Sequence, residues 1–217
     1  MDTMRPLISA STQARPALGE PGQPSPRILC FESLMNSDMP HNDKELSQGV
    51  LHMISPLAEV STQVHFANLK MSITGDDRLA SGLESLEAAL ENGPFDLVCI
   101  TLLEGYFEGV QQLIKTLRDK GCRAHIAVGG AMPTLAPEHV ATHLEGVSFI
   151  CRGAGEEFVK NLVQILGAAN IDTPLTQSQI DALLSLEGLI GHARGPNGMT
   201  LISARSDSVA EVDDLDR

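Results

Sequence analysis

Five short apolar runs punctuate the middle of the chain, at residues 27–31, 63–67, 96–101, 124–128 and 148–152. Each has strand length, and each is apolar at successive positions, the pattern of a strand covered on both faces. Between them apolar residues recur at helical spacing: Leu79, Leu83, Leu86 and Leu90, then Val110, Leu113, Ile114 and Leu117, then Phe158, Leu162, Val163 and Leu166. Those windows predict crossover helices. Strands alternating with amphipathic helices bury their apolar surface only when helices coat both faces of a parallel sheet. The predicted fold is therefore α/β, a doubly wound five-stranded parallel sheet of the Rossmann-like or flavodoxin-like kind. Asn92-Gly93-Pro94 and Lys120-Gly121 end two of the helices, with glycine expected in the left-handed cap.

The pattern changes at both ends. Residues 1–26 hold five prolines among Ser, Thr, Gly and Gln, too little apolar surface to offset the entropy of ordering, and predict a disordered leader. The main domain then runs over residues 27–170. Residues 171–204 predict an appendage: a short helix near 177–186 and a β-hairpin of 188–194 with 199–204, closed by Gly195-Pro-Asn-Gly198. Residues 205–217 carry five acids and two arginines and predict an acidic linker or tail.

Composition narrows the function. Fifteen Lys and Arg against 28 Asp and Glu give a net charge of −13, so binding to DNA or RNA has no cationic footprint to start from. There is no Trp and one Tyr, which removes stacking platforms for single strands. The chain contains no apolar stretch long enough to span a membrane and no signal-peptide core near its start, so a cytoplasmic location is expected. Cys30, Cys99, Cys122 and Cys151 form no Cys-x-x-Cys pair, and three lie within apolar runs; they read as buried thiols, not a disulfide frame or zinc site.

Ligands of open parallel sheets bind at the carboxyl ends of the strands. Three loops there stand out. The third strand ends in Thr101-Leu-Leu103, where a hydroxyl either meets a ligand edge or caps the next helix. The fourth ends in Val128-Gly129-Gly130, where missing side chains either admit a flat group or satisfy a tight turn with positive φ. The fifth ends in Arg152-Gly153-Ala-Gly155-Glu156-Glu157, which opens a helix toward a ligand or is ordinary capping.

In combination, Thr101-x-Leu103, Val128-Gly-Gly-x-x-Pro-Thr-x-x-Pro137 and Arg152-Gly-x-Gly-Glu-Glu157 resemble the N-terminal cobalamin-binding domain of cobalamin-dependent radical S-adenosylmethionine enzymes, over about residues 27–170. The segment 188–216, with its Asp-Leu-Asp end, resembles the lead-in to the barrel of such enzymes. The resemblance implies that the nucleotide tail of cobalamin slots in beside the first and fourth strands. Thr101, Leu103 and Val128 would line its pocket, Gly129 and Gly130 would leave room for the benzimidazole, and Gly153, Gly155 and Glu156 would close the far side. It also implies methyl transfer or radical rearrangement in a full enzyme, with a radical S-adenosylmethionine barrel as partner in cis or in trans.

Two departures from the wider pattern qualify the expectation. The loop after the first strand, Glu32 to Asp43, lacks Asp-x-His-x-x-Gly; His41 stands without the glycine and reads as a solvated loop residue. Base-off cobalamin with no protein histidine on cobalt is expected. The Cys-x-x-x-Cys-x-x-Cys cluster is absent from these residues, so iron–sulfur and S-adenosylmethionine chemistry would belong to a barrel that they do not contain, and the chain alone is not expected to catalyse. Glu32-Ser-Leu-Met is not a flavodoxin phosphate loop, Thr101 stands where a phospho-receiver needs Asp, and Gly153-Ala-Gly155 is too late and incomplete for a dinucleotide fingerprint. His139 and His143 have no third metal ligand in view. The alternative reading is a non-enzymatic interaction or sensor domain that kept the fold and lost the cofactor.

Overall fold

The computed structural model describes residues 25–33, 48–69, 86–103, 107–196 and 198–203. The leader, the His41 loop and the acidic tail lie outside them. All five parallel strands form: β1 (Arg27–Ser33), β2 (Gln63–Leu69), β3 (Leu97–Thr101), β4 (His125–Gly129) and β5 (Phe149–Cys151). They lie in the order β2-β1-β3-β4-β5, so the chain reverses direction across the sheet between β1 and β3.

The hairpin corrects the expected layout. β6 (Leu189–Gly195) and β7 (Gly198–Ser203) are not a separate appendage but extend the same sheet, antiparallel beside β5, to seven strands. Gly191, opposite Phe149, permits this approach, because a Cβ there would collide with the Ser148 carbonyl. The turn sets Gly195 against Gly198, which has φ +112°; Asn197 lies outside the described residues.

Six helices are described from end to end: α1 (Gln48–Val60), α2 (Phe107–Asp119), α3 (Ala131–Leu135), α4 (Pro137–His143), α5 (Gly155–Leu166) and α6 (Gln177–Leu184). Residues 86–90 are also helical, the visible end of the predicted helix that starts near Leu79. Gly121 takes the left-handed cap, with φ +80°. Gly93 does not, a second correction: it precedes Pro94, whose ring restricts the conformation of its neighbour.

Strand alternation divides the core in two. Ile28, Cys30, Leu97, Cys99, Ala127, Phe149 and Cys151 face one side, where α1, α5 and α6 pack. Leu29, Phe31, Val98, Ile100, Ile126, Val128 and Ile150 face the other, with residues 86–90, α2 and α4. The doubly wound arrangement follows, because either side left bare would expose a continuous apolar sheet. Among the described residues no helix is long and apolar enough to cross a membrane.

One buried polar side chain interrupts this core. His125, at the start of β4, is 3% exposed, lies 5.2 Å from the Phe149 ring, and has a hydrogen-bond partner at neither ring nitrogen. Burial above all, then the Arg118 guanidinium, pushes its pKa down to about 4; the neighbouring Asn170 backbone offsets this only in part. The unfolded chain therefore takes up this proton near pH 6.5 and the native chain only near pH 4. Stability is full above pH 6.5 and falls as pH drops through that window, by up to about 3 kcal/mol. Urea unfolding at about pH 7 and about pH 4.5 should show wild type losing about 2–3 kcal/mol more than His125→Leu. Equal losses in the two proteins would contradict this account of His125.

Candidate functional site

A cleft of about 780 Å³, counting its open mouth, lies along the carboxyl edge of the parallel strands on the side coated by α1 and α5. Its floor exists because the inward positions near the strand ends are small. Cys30 of β1, Cys99 of β3, Ala127 and Gly129 of β4 and Cys151 of β5 line it, where the opposite face carries Phe31, Ile100 and Val128 on the same strands. Met53 from α1, Phe66 from β2, and Phe158 and Val159 from α5 form the walls.

The rim is built from the three strand-end loops. Leu102 donates its amide to the Gly129 carbonyl at 2.8 Å, which ties the end of β3 to that of β4. Thr134 of α3 donates to the Gly130 carbonyl at 2.8 Å and accepts from the Gly153 amide at 3.0 Å, which ties the β4 loop to the β5 loop. The two adjacent glycines have different reasons. Gly130 has φ +108°, and a Cβ there would lie 2.9 Å from the Leu102 carbonyl oxygen. Gly129 has no such backbone, and a Cβ there would meet only Cys151 Cβ, at an ordinary 3.6 Å. A positive-φ turn thus explains Gly130 and leaves Gly129 unexplained.

Beyond the rim, α5 starts at Ala154 and Gly155 with no side chain capping its first turn, and added Cβ atoms at Gly153 or Gly155 would touch nothing within 4 Å. First-turn amides of a helix are free donors at the positive end of its dipole. Glu156 is the one acidic or basic residue lining the cleft among the described residues, and its carboxylate lies 3.7 Å from His52 Nδ1 of α1. Deeper in, Lys160 joins Glu59 at 2.6 Å, so the two walls are tied together. Two of the thiols stay neutral: a hydrogen bond with Cys30 and burial hold Cys99 well above the ordinary thiol range, and burial chiefly pushes Cys151 up to about 12. An apolar floor, neutral thiols and free amides at the mouth suit the binding of a large, mostly apolar ligand with polar edges.

Thr101, Val128, Gly129, Gly130, Gly153, Gly155 and Glu156 all border this cleft. Leu103 does not; it packs against the core of the opposite face. Thr101 does not cap a helix, because Leu102 and Leu103 after it are not helical. His139 and His143 stack at 4.4 Å on the exposed α4, and no cluster of three or more His, Cys, Asp or Glu able to hold a metal exists among the described residues. Cys30, Cys99, Ala127, Cys151, Met53, Phe66 and Phe158 are site residues that the loop-centred reading passed over. Their signal was the run of small residues at every second position of one sheet face.

Among protein families, a model described as a B12 binding domain matches residues 50–163, more than half of the chain. No curated protein and no solved structure matches it.

The contrast between the two glycines is directly measurable. Gly130→Ala should lower stability by about 1–3 kcal/mol, from strain and the Leu102 clash. Gly129→Ala should cost less than about 1 kcal/mol, because its Cβ enters the cleft and not the backbone. Chemical denaturation of both variants checks the pair, and equal costs would show that the two glycines serve one turn.

Proposed function

The chain belongs to the B12 binding domain family, and from that premise we propose that it is the cobalamin-binding module of a radical S-adenosylmethionine enzyme. The observation that carries the reading is the cleft at the carboxyl edge of β1, β3 and β4, with Gly129 bare where the backbone conformation does not ask for glycine. The residues present fit the group. Thr101 and Val128 border one side of the space for the nucleotide tail, Gly129 leaves its centre open, and Gly153, Gly155 and Glu156 stand at the far side. The apolar floor excludes water from the buried tail, and the uncapped first turn of α5 offers amides to its polar edge. When bound, cobalamin supplies a cobalt centre able to carry a methyl group; substrate choice and radical generation belong to the partner barrel.

The sequence around His41 lacks the pattern that puts a protein imidazole on cobalt, so the cofactor is held base-off without one. Two experiments test the proposal. Purified protein incubated with hydroxocobalamin and desalted should keep the corrinoid absorbance. Gly129→Val should lose it while the apo-protein's thermal midpoint falls by less than about 5 °C. Wild type that keeps no corrinoid would favour the interaction-domain alternative. In the Co(II) form, electron paramagnetic resonance should show no nitrogen splitting from a protein histidine. Splitting that disappears in His41→Ala would contradict the base-off assignment without histidine.

A further inference from the structure

We propose that Cys30 and Cys99 form a two-coordinate site for a soft monovalent cation of the Cu(I) class on the floor of the cleft. The inference does not rest on cobalamin binding. Cys30 and Cys99 are register partners on adjacent parallel strands and point to the same side of the sheet. Both line the open cleft, so a small ion reaches them although neighbouring side chains cover them from bulk water.

Geometry and ligand count select the occupant. Adjacent strands lie about 4.8 Å apart, and side chains of register partners run nearly parallel. Two thiolates with one metal in line between them, taken at the zinc–thiolate bond length of about 2.3 Å, span about 4.6 Å, which is close to that spacing. A disulfide needs Cβ atoms about 3.5–4.5 Å apart, closer than side-by-side parallel positions hold them, so a bridging cation fits the pair better than oxidation does. Among the described residues no group of three or more His, Cys, Asp or Glu able to hold a metal includes them, so those residues supply no closed tetrahedral zinc or iron–sulfur set. Two adjacent thiol donors, with the Met53 thioether lining the same cleft, suit a soft d10 cation.

Cys151 also reaches the floor, but β4 lies between it and Cys99, and its Sγ points to the Ala154 carbonyl at 3.9 Å. Binding releases both thiol protons to solvent and leaves copper as Cu(I), with no electron transferred. The resulting complex carries one negative charge, and the uncapped positive end of α5 at the same cleft offsets it.

The test is an anaerobic titration of the whole chain with Cu(I) in competition with bathocuproine disulfonate. The protein should withhold one Cu(I) per chain from the chelator, and copper X-ray absorption should show two sulfur neighbours. Cys30→Ser and Cys99→Ser should each weaken retention by at least about tenfold, and Cys122→Ser should leave it unchanged. Circular dichroism accompanies each variant, with Cys30→Ala and Cys99→Ala replacing a serine variant that unfolds. Copper wholly lost to the chelator, retention unaffected in both variants, or an equal loss in Cys151→Ser would overturn the assignment. Corrinoid retention is measured separately, so either proposal can fail while the other stands.

Discussion

The constraint on which this molecule turns is side-chain size on one face of its sheet. A parallel sheet coated by helices on both sides is normally filled with branched residues throughout, because interiors pack at crystal-like density. Here one face obeys that rule, with Leu29, Val98, Ile126 and Val128 buried under α2 and α4. Toward the carboxyl edge of the other face, Cys30, Cys99, Ala127, Gly129 and Cys151 stop short, and α1 and α5 do not close the space above them. Filling that space with leucines would be the ordinary way to stabilise such a fold. Leaving it open withholds packing energy from the apo-protein and reserves apolar surface for a ligand to bury.

Everything at the rim serves to hold that opening in shape. The Leu102 to Gly129 hydrogen bond and the two bonds made by Thr134 knit three loops from three strands into one edge. His52 with Glu156 and Lys160 with Glu59 hold the wall helices to each other at two depths. Exposed contacts of this kind add little to stability, so they set geometry more than stability. The seven-stranded sheet contributes as well, because β6 and β7 cover the edge of β5 that would otherwise stand unpaired beside the site.

The parallel strands were legible in the sequence because each is a short, continuous apolar run, and the observed bounds follow those runs closely. α1 was not, since Pro56 lies inside it and breaks the helical pattern. α3 and α4 are short and carry Pro133 and Pro137, so their stretch reads as a loop. The strand-end loops disclosed most of the rim, but Leu103, which the resemblance placed in the pocket, packs against the core of the opposite face. The floor was legible only if the two faces of each strand were read separately. Cys30, Cys99 and Cys151 looked like buried thiols among apolar neighbours, which they are, while their shared feature, being small on the same face, stayed hidden until the register was known.

If the small floor is what makes room for the cofactor, filling it without touching the rim must evict the ligand. Ala127 lines that floor on β4, two residues before Gly129 on the same face, and Ala127→Leu adds apolar volume to the floor itself. Equilibrium dialysis of hydroxocobalamin against this variant and wild type measures the consequence directly. The small-floor reading predicts an affinity loss of at least about tenfold, about 1.4 kcal/mol, in an apo-protein that still folds. Undiminished binding by a folded Ala127→Leu protein would contradict it.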